Sequence, residues 1–309
     1  MTPHARAQWQ IHFCVVLWGF TAILGRAITL PALPLVWWRM LLVTVALLCF
    51  PRVWRELRGM PLRLLAAYAG IGVLVALHWL TFYAAIKLAN ASVGATCMAL
   101  APVFLALIEP WVMRRRFDPR ELLLGIAVVP GVALVVGGIP ATMRIGVAVG
   151  ALSALLVACF GALNKRMVDR ADPLTVTCAE LGAGAVFLTF ASFALPFRGD
   201  HAFVLPGLHD ALLLLALALA CTLLPFALSL VALRNLSAFN VQLATNLEPV
   251  YSIVLAILLL GEQRELDAWF YLGVAVILGA VLVYPLLVRH ASMPPPELLG
   301  TGESHGTLE

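Results

Sequence analysis

Residues 84–104 read AAIKLANASVGATCMALAPVF, and residues 231–251 read VALRNLSAFNVQLATNLEPVY. Laid over each other without a gap, Ala85 meets Ala232, Ile86 meets Leu233, Lys87 meets Arg234, Pro102 meets Pro249 and Phe104 meets Tyr251, all at one offset of 147. Apolar helices share letters cheaply, but a basic residue and a proline at one ungapped offset are harder to match by chance. After a one-residue shift, Gly125 meets Gly273 and Gly131 meets Gly279. Earlier in the chain, Trp18-Gly19 resembles Phe160-Gly161, and Pro34-Leu35 resembles Pro173-Leu174. The chain reads as two copies of one unit.

The unit is built for lipid. Of 309 residues, 62% are hydrophobic and 12% charged, and the mean hydropathy is +0.99. A soluble domain carries roughly 25% charged residues, and a surface this apolar would aggregate in water. A spanning helix needs about 20 mostly apolar residues. Ten segments meet or approach that: 10–28, 34–50, 64–86, 93–113, 121–138, 146–163, 173–196, 208–232, 238–260 and 265–288. Pro51 stops the second. The expected fold is an all-α membrane protein of ten transmembrane helices. Its repeats span 10–138 and 146–288, with a short N-terminal stretch (1–9) and a Pro/Gly-containing tail (289–309) expected to be disordered.

Orientation follows from basic residues in short loops. With the N-terminus inside, cytoplasmic segments hold fourteen, including Arg52, Arg55, Arg58, Arg63, Arg114–Arg116, Arg120, Lys165, Arg166, Arg170 and Arg234. Outside segments hold four: Lys87, Arg144, Arg198 and Arg264. Both termini are therefore expected in the cytoplasm. Five is odd, so two copies of a five-helix unit sit upside down relative to each other. Inverted repeats that close a site from opposite faces are a recurrent transporter design. Pro102 and Pro249 each remove a backbone hydrogen bond from matched helices, and are expected as symmetric hinges.

These residues resemble a known family. LWGFTAILGR (17–26), the stretch from FYAAIKLANAS to LAPVF (82–104), and NLEPVYSIVLAILLLGEQ (246–263) are similar to the EamA-type drug/metabolite transporter superfamily. The resemblance runs from about residue 10 to 288, and its most specific mark is the proline–aromatic pair followed by an apolar run and Gly-Glu. It implies a central cavity between the halves and secondary transport of a small metabolite, often amino-acid export. One departure stands out: the first half has Met113-Arg114-Arg115 where the second has Leu260-Gly261-Glu262.

Polar groups inside lipid tend to face a cavity or one another. In the ninth segment Gln242, Thr245, Asn246, Glu248, Pro249 and Ser252 share one arc of roughly 160°. Glu248 lies roughly 15 Å deep, near mid-bilayer, where a carboxyl can carry a proton or meet a substrate amine. His78, Trp79 and Tyr83 cluster on the third segment, and Trp79 and Tyr83 share a face. A lone histidine is more often a packing residue. Arg39 can snorkel to the interface beside Trp37 and Trp38, or enter a site. Trp18 can wall a cavity or simply pack. Glu180 is a second proton-coupling candidate, but its depth differs from that of Arg39 by roughly 12 Å, so Glu248 is the better partner for Arg39. Glu109, beside Pro110 and near Arg114–Arg116, reads as an interfacial charge.

The six cysteines lie in apolar runs without a CxxC pair, so neither a metal nor a disulfide is expected. No HExxH or Walker loop marks an enzyme, and no cofactor or nucleic-acid partner is indicated. The expected function is a secondary transporter of a small organic metabolite in a bacterial inner membrane, by alternating access and with optional proton coupling. A passive facilitator on the same scaffold, and a non-transporting scaffold or lipid-handling enzyme, are the alternatives. Glycines Gly125, Gly131, Gly273 and Gly279 in segments five and ten suggest a homodimer face.

Overall fold

The computed structural model describes residues 2–194, 203–245 and 247–287, apart from the side chains of 124, 125, 242, 243 and 281–287. The expected tail 289–309 lies outside the described residues. Among those described, every element is helical. In chain order they are α1 (Pro3–Ala27), α2 (Ala32–Leu48), α3 (Pro51–Gly59), α4 (Leu62–Leu88), α5 (Ala91–Cys97), α6 (Ala101–Met113) and α7 (Pro119–Gly137), followed by α8 (Arg144–Met167), α9 (Pro173–Ala194), α10 (Leu208–Ala218), α11 (Leu224–Leu233), α12 (Ala238–Thr245), α13 (Glu248–Leu255) and α14 (Ala268–Leu287).

Seven stretches are each long and apolar enough to cross a membrane: Pro3–Ala27, Leu62–Leu88, Ala91–Met113, Pro119–Gly137, Ala141–Met167, Pro173–Ala194 and Leu208–Leu233. Glu248–Leu260 and Ala268–Ala280 are shorter apolar helices. Among the described residues the fold is all-helical, and the protein is an integral membrane protein. The sequence differs from this picture in two places. The first helix begins at Pro3, not near residue 10, because Thr2 caps it by accepting from the Ala5 N–H and Pro3 occupies its first turn. Pro51 does not merely end the second segment: it opens α3, which turns 96° away from α2. Arg52, Arg55, Glu56 and Arg58 give α3 a charged face while Val53 is buried, the pattern of a helix lying in the interface plane.

Two apolar stretches carry a tight turn at matched positions. A 3₁₀ turn over Met98–Leu100 separates α5 from α6, and Pro102 lies in the first turn of α6. A break near residue 247 separates α12 from α13, and Pro249 lies in the first turn of α13. A proline in a first turn removes an N–H that has no intrahelical partner anyway. Each proline therefore follows a tight turn within its stretch, where its missing N–H costs little.

Matched cations brace each repeat. Lys87 donates from its Nζ to the Ile28 carbonyl, the C-cap of α1. Its counterpart Arg234 donates to the Val168 carbonyl at 3.4 Å, the C-cap of α8, and to Ala171 O at 3.1 Å. Each cation meets the negative end of the first helix of its own repeat.

The repeats also clasp each other. Glu262 is buried, and its carboxylate accepts from the Ala91 N–H and Ser92 N–H, both at 3.0 Å, and from the Ser92 hydroxyl at 2.6 Å. It thereby satisfies the start of α5, whose own N-cap is Asn90. At the other end of the bundle, Glu109 accepts from the Phe239 N–H at 3.2 Å, at the start of α12, and from Arg115 at 3.3 Å. Glu109 is thus buried between the repeats, where the sequence suggests an interfacial charge. In the first repeat Arg115 occupies the Gly-Glu glutamate position. The capping carboxylate comes instead from Glu109, which Arg115 holds.

At the periphery α7 packs along α14. A Cβ on Gly131 would lie 2.7 Å from Gly273 O, and one on Gly273 would lie 2.5 Å from Gly131 O. These two glycines meet inside one chain, where they set the contact between the repeats. Gly279 has open space around it, and the side-chain surroundings of Gly125 lie outside the described residues.

Candidate functional site

A cavity of about 120 Å³ lies between the repeats. Its walls come from α1 (Trp18, Thr21), α2 (Arg39), α4 (His78, Trp79, Phe82), α6 (Leu105), α8 (Val157, Phe160, Gly161, Asn164), α11 (Phe226, Ser229, Leu230, Leu233), α12 (Ala238, Val241, Thr245) and α13 (Glu248), with Met98 from the 3₁₀ turn. Both members of the repeated pair Trp18 and Phe160 line it.

Arg39 is the centre of the polar wall. It is 2% exposed, with its guanidinium turned into the bundle. Its Nε donates to Thr222 Oγ1 at 2.6 Å and its Nη1 to the Tyr83 hydroxyl at 2.8 Å. Its Cζ stacks 3.8 Å from the Trp79 ring centroid, a cation–π contact that stabilises a desolvated guanidinium. Thr222 can accept because a π-helical turn at Leu219–Leu223 lets its hydroxyl donate in turn to Leu217 O at 2.6 Å; such turns often occur at functional sites. Tyr83 stands behind the wall, fully buried, as Arg39's support. The rest of Arg39's N–H fork is without a hydrogen-bond partner among the described residues.

Glu248 lies in the first turn of α13, 7% exposed and facing the same cavity. Among the described residues no ion pair within 4.0 Å joins it to Arg39. The two groups share a chamber with space between them. The remaining hydroxyls are already bonded to their own helices: Thr21 to Trp18 O at 2.6 Å, Ser229 to Phe226 O at 2.8 Å, Thr245 to Val241 O at 2.9 Å. His78 has its Nδ1 beside Ser153 Oγ at 2.8 Å and Ser153 O at 3.0 Å, so it lines the cavity while being held by α8. The charged groups facing a guest are Arg39 and Glu248; Asn164 adds an amide, and the hydroxyl oxygens can still accept. Aromatic faces of Trp18, Trp79, Phe160 and Phe226 supply the apolar remainder.

This geometry brings together most of the expected residues. Trp18, Arg39, His78, Trp79, Thr245 and Glu248 line one cavity. The Gln242 side chain and Asn246 lie outside the described residues. Glu180 is fully buried off the cavity wall, beside Asn164. Pro102 and Pro249 are buried at the two helix breaks. Phe160, Asn164, Phe226 and Thr222 are functional candidates that the sequence reading missed. Phe160 could have been found as the repeat counterpart of Trp18, and Asn164 as the polar residue one helical turn beyond it.

The family model for the EamA-like transporter family matches residues 8–137 and 144–284. The chain belongs to the EamA-like transporter family. The two matched stretches are the two repeats. This EamA-like transporter matches no curated protein. It is similar to a solved structure described as "Crystal structure of protein", with 17% identity over 93% of this chain and 99% of the other, and a TM-score of 0.67. At that identity the likeness concerns the fold.

Proposed function

We propose that this EamA-like protein is a secondary transporter of a small zwitterionic metabolite of the amino-acid type. It works by alternating access between two inverted five-helix repeats that together span the membrane ten times, with both termini in the cytoplasm, and its direction is export. The observation that carries this reading is the cavity's pairing of Arg39 with Glu248: one guanidinium and one carboxylate, unpaired with each other, facing the same space between aromatic walls. A carboxylate guest meets the free edge of the Arg39 fork, an ammonium meets Glu248, and an apolar side chain lies on the aromatic surface.

The matched contacts support an alternating cycle because they are unequal. Gly19 is closed against the second repeat: Ser252 Oγ donates to Gly19 O at 3.0 Å, and a Cβ on Gly19 would lie 2.8 Å from Tyr251 Cβ. Its counterpart Gly161 lines the cavity, and a Cβ added there would meet nothing within 4 Å. One access route is sealed and the other is loose, as expected for a carrier caught on one side. With the expected orientation, the loose side faces the cytoplasm, where an exported substrate loads.

Counterflow in proteoliposomes, with labelled amino acids offered against internal unlabelled ones, tests the reading. Saturable, trans-stimulated flux is expected for at least one zwitterion. Arg39→Lys and Glu248→Gln should each weaken apparent affinity about 10- to 100-fold, the range for losing a hydrogen bond to a charged group. Flux that never saturates, or variants with unchanged affinity, would sink it.

A further inference from the structure

Glu180 and Asn164 form a pair that the transport cavity does not explain. Glu180 on α9 is 0% exposed, and Asn164 on α8 is 3% exposed. The Asn164 Nδ2 donates to Glu180 Oε2 across a long 3.4 Å. Two atoms of the same pair, Glu180 Oε1 and Asn164 Oδ1, are buried without any hydrogen-bond partner. Among the described residues no ion pair within 4.0 Å reaches Glu180. Two neighbouring acceptors, both buried and both unsatisfied, are costly.

One added atom resolves both. A carboxylic acid and a primary amide can close a ring of two hydrogen bonds. The amide N–H donates to one carboxyl oxygen, and the acid O–H donates to the amide oxygen. The first of these bonds is present, though stretched. The two orphaned oxygens are the atoms that the second would use. A proton on Oε1 lets Glu180 donate to Asn164 Oδ1, and the unsatisfied pair becomes a satisfied one. Other charged or titratable groups do not offer a substitute. Against α9, α4 presents Tyr68, whose hydroxyl donates to Met167 O at 3.3 Å. From α3 comes Glu56, bonded to Thr175 and to Arg52. The α2 contacts with α9 include Trp37, Met40 and Thr44, which do not titrate; the α2 cation Arg39 is bonded to Thr222 and Tyr83, and α11 has no ionisable residue.

Position makes the pair consequential. Asn164 lines the main cavity and also a small pocket of about 10 Å³ bounded by Tyr68, Met167 and Val168 at the end of α8. That pocket is about the size of one water, and it adjoins the Asn164 side of the pair. We propose that Glu180 is the transported-proton site, and that Asn164 relays its occupancy to the substrate cavity by turning its amide toward Glu180 or toward the guest. This deepens the transporter reading and rests on it for its physiological meaning. Glu248 then serves the substrate, and Glu180 the proton.

Two measurements on the full-length protein separate this idea from the transporter reading. The first needs no substrate: infrared difference spectra across a pH step on reconstituted protein. A carboxylic C=O band from a buried acid is expected in the wild type. It should be absent in Glu180→Gln and moved to higher frequency in Asn164→Ala, which removes the ring partner. A wild-type band that persists in Glu180→Gln overturns the proposal even if transport is confirmed. The second compares exchange with uphill transport for the labelled amino-acid panel. Glu180→Gln should keep counterflow within about threefold of wild type and lose accumulation driven by a pH gradient. Accumulation retained in Glu180→Gln overturns the assignment. The expected band without flux of any panel member would instead count against the transporter reading alone.

Discussion

Arg114 and Gly261 stand 147 positions apart, and they are the two described residues with a positive φ, 53° and 70°. Each ends a helical run immediately before a clasp between the repeats. The same left-handed stop recurs in both copies, but one copy makes it with an arginine. Glycine adopts this conformation without the steric penalty that a Cβ brings.

The two sites should therefore respond in opposite directions. Arg114→Gly is expected to raise stability, and Gly261→Ala to lower it, each by about 1 kcal/mol. Thermal unfolding of detergent-solubilised protein reads this directly. Shifts of the same sign would remove the backbone explanation.

Glu262 holds three donors at the start of α5, all in a buried setting. Glu262→Ala should destabilise the protein by about 3 kcal/mol, since each buried donor left without an acceptor costs about 1–3 kcal/mol and some will find water. Ser92→Ala removes one of the three and should cost roughly 1 kcal/mol. A Glu262→Ala variant as stable as wild type would show that the clasp contributes nothing.

The opposite clasp depends on a cation. Arg115 bonds both Glu109 and Glu121, and Glu109 is buried while Arg115 is partly exposed. Arg115→Ala should cost on the order of 2 kcal/mol, discounted from a fully buried pair for solvent screening. A double-mutant cycle with Glu109→Gln should then show strong coupling. Additive losses would mean that the two residues act separately.

The surface helix α3 carries a pH signature. The Thr175 hydroxyl, bonded to Glu56 at 2.7 Å, together with Arg52, holds the Glu56 carboxyl below the ordinary carboxylate range. A lowered folded-state value contributes stability above the unfolded value of about 4.3 and loses it as pH falls through the folded value. Thr175→Val should therefore show its largest deficit near neutrality and a shrinking one on acidification. A deficit equal at every pH would assign the effect to packing.

The sealed contact at Gly19 offers a conformational test. Gly19→Ala places a methyl against Tyr251 and should loosen the closed route, whereas Gly161→Ala meets open space and should leave it shut. Cysteine labelling of Ser252 (Ser252→Cys) in each background measures this. Faster labelling with Gly19→Ala, and wild-type labelling with Gly161→Ala, is the expected result. Equal rates would mean that Gly19 does not guard the route.

Much of this architecture is legible in the chain because lipid punishes exceptions. Among the described residues the apolar segments fall largely on helix, seven of them long and apolar enough to cross a membrane. Lys87 and Arg234 stand out as charges in greasy surroundings, and they brace equivalent helix ends. Arg39 and Glu248 stand out for the same reason and face one cavity. What the letters conceal is proximity. Asn164 and Glu180 are sixteen positions apart on different helices, and nothing local to either predicts that they pair. Glu109 takes its apparent role from its neighbours Arg114–Arg116, yet its decisive partner is a backbone N–H on α12. Thr222 looks like one polar letter in an apolar run, because the π-turn that frees it is a tertiary accommodation. The prolines signal flexibility, and each sits just after a tight turn that the letters alone do not show.

The glycine crossing of α7 and α14 has a mechanical consequence. Two backbones in direct contact cannot slide without collision, but they can pivot about the point where they touch. With Gly131 and Gly273 as a fulcrum, the proposed alternating cycle has its least travel at this edge, away from Gly19, which is packed against Tyr251, and from Gly161, which has open space around it. On the proposed cycle, a bulkier residue at either glycine would jam the pivot and slow both half-cycles together, without touching the cavity.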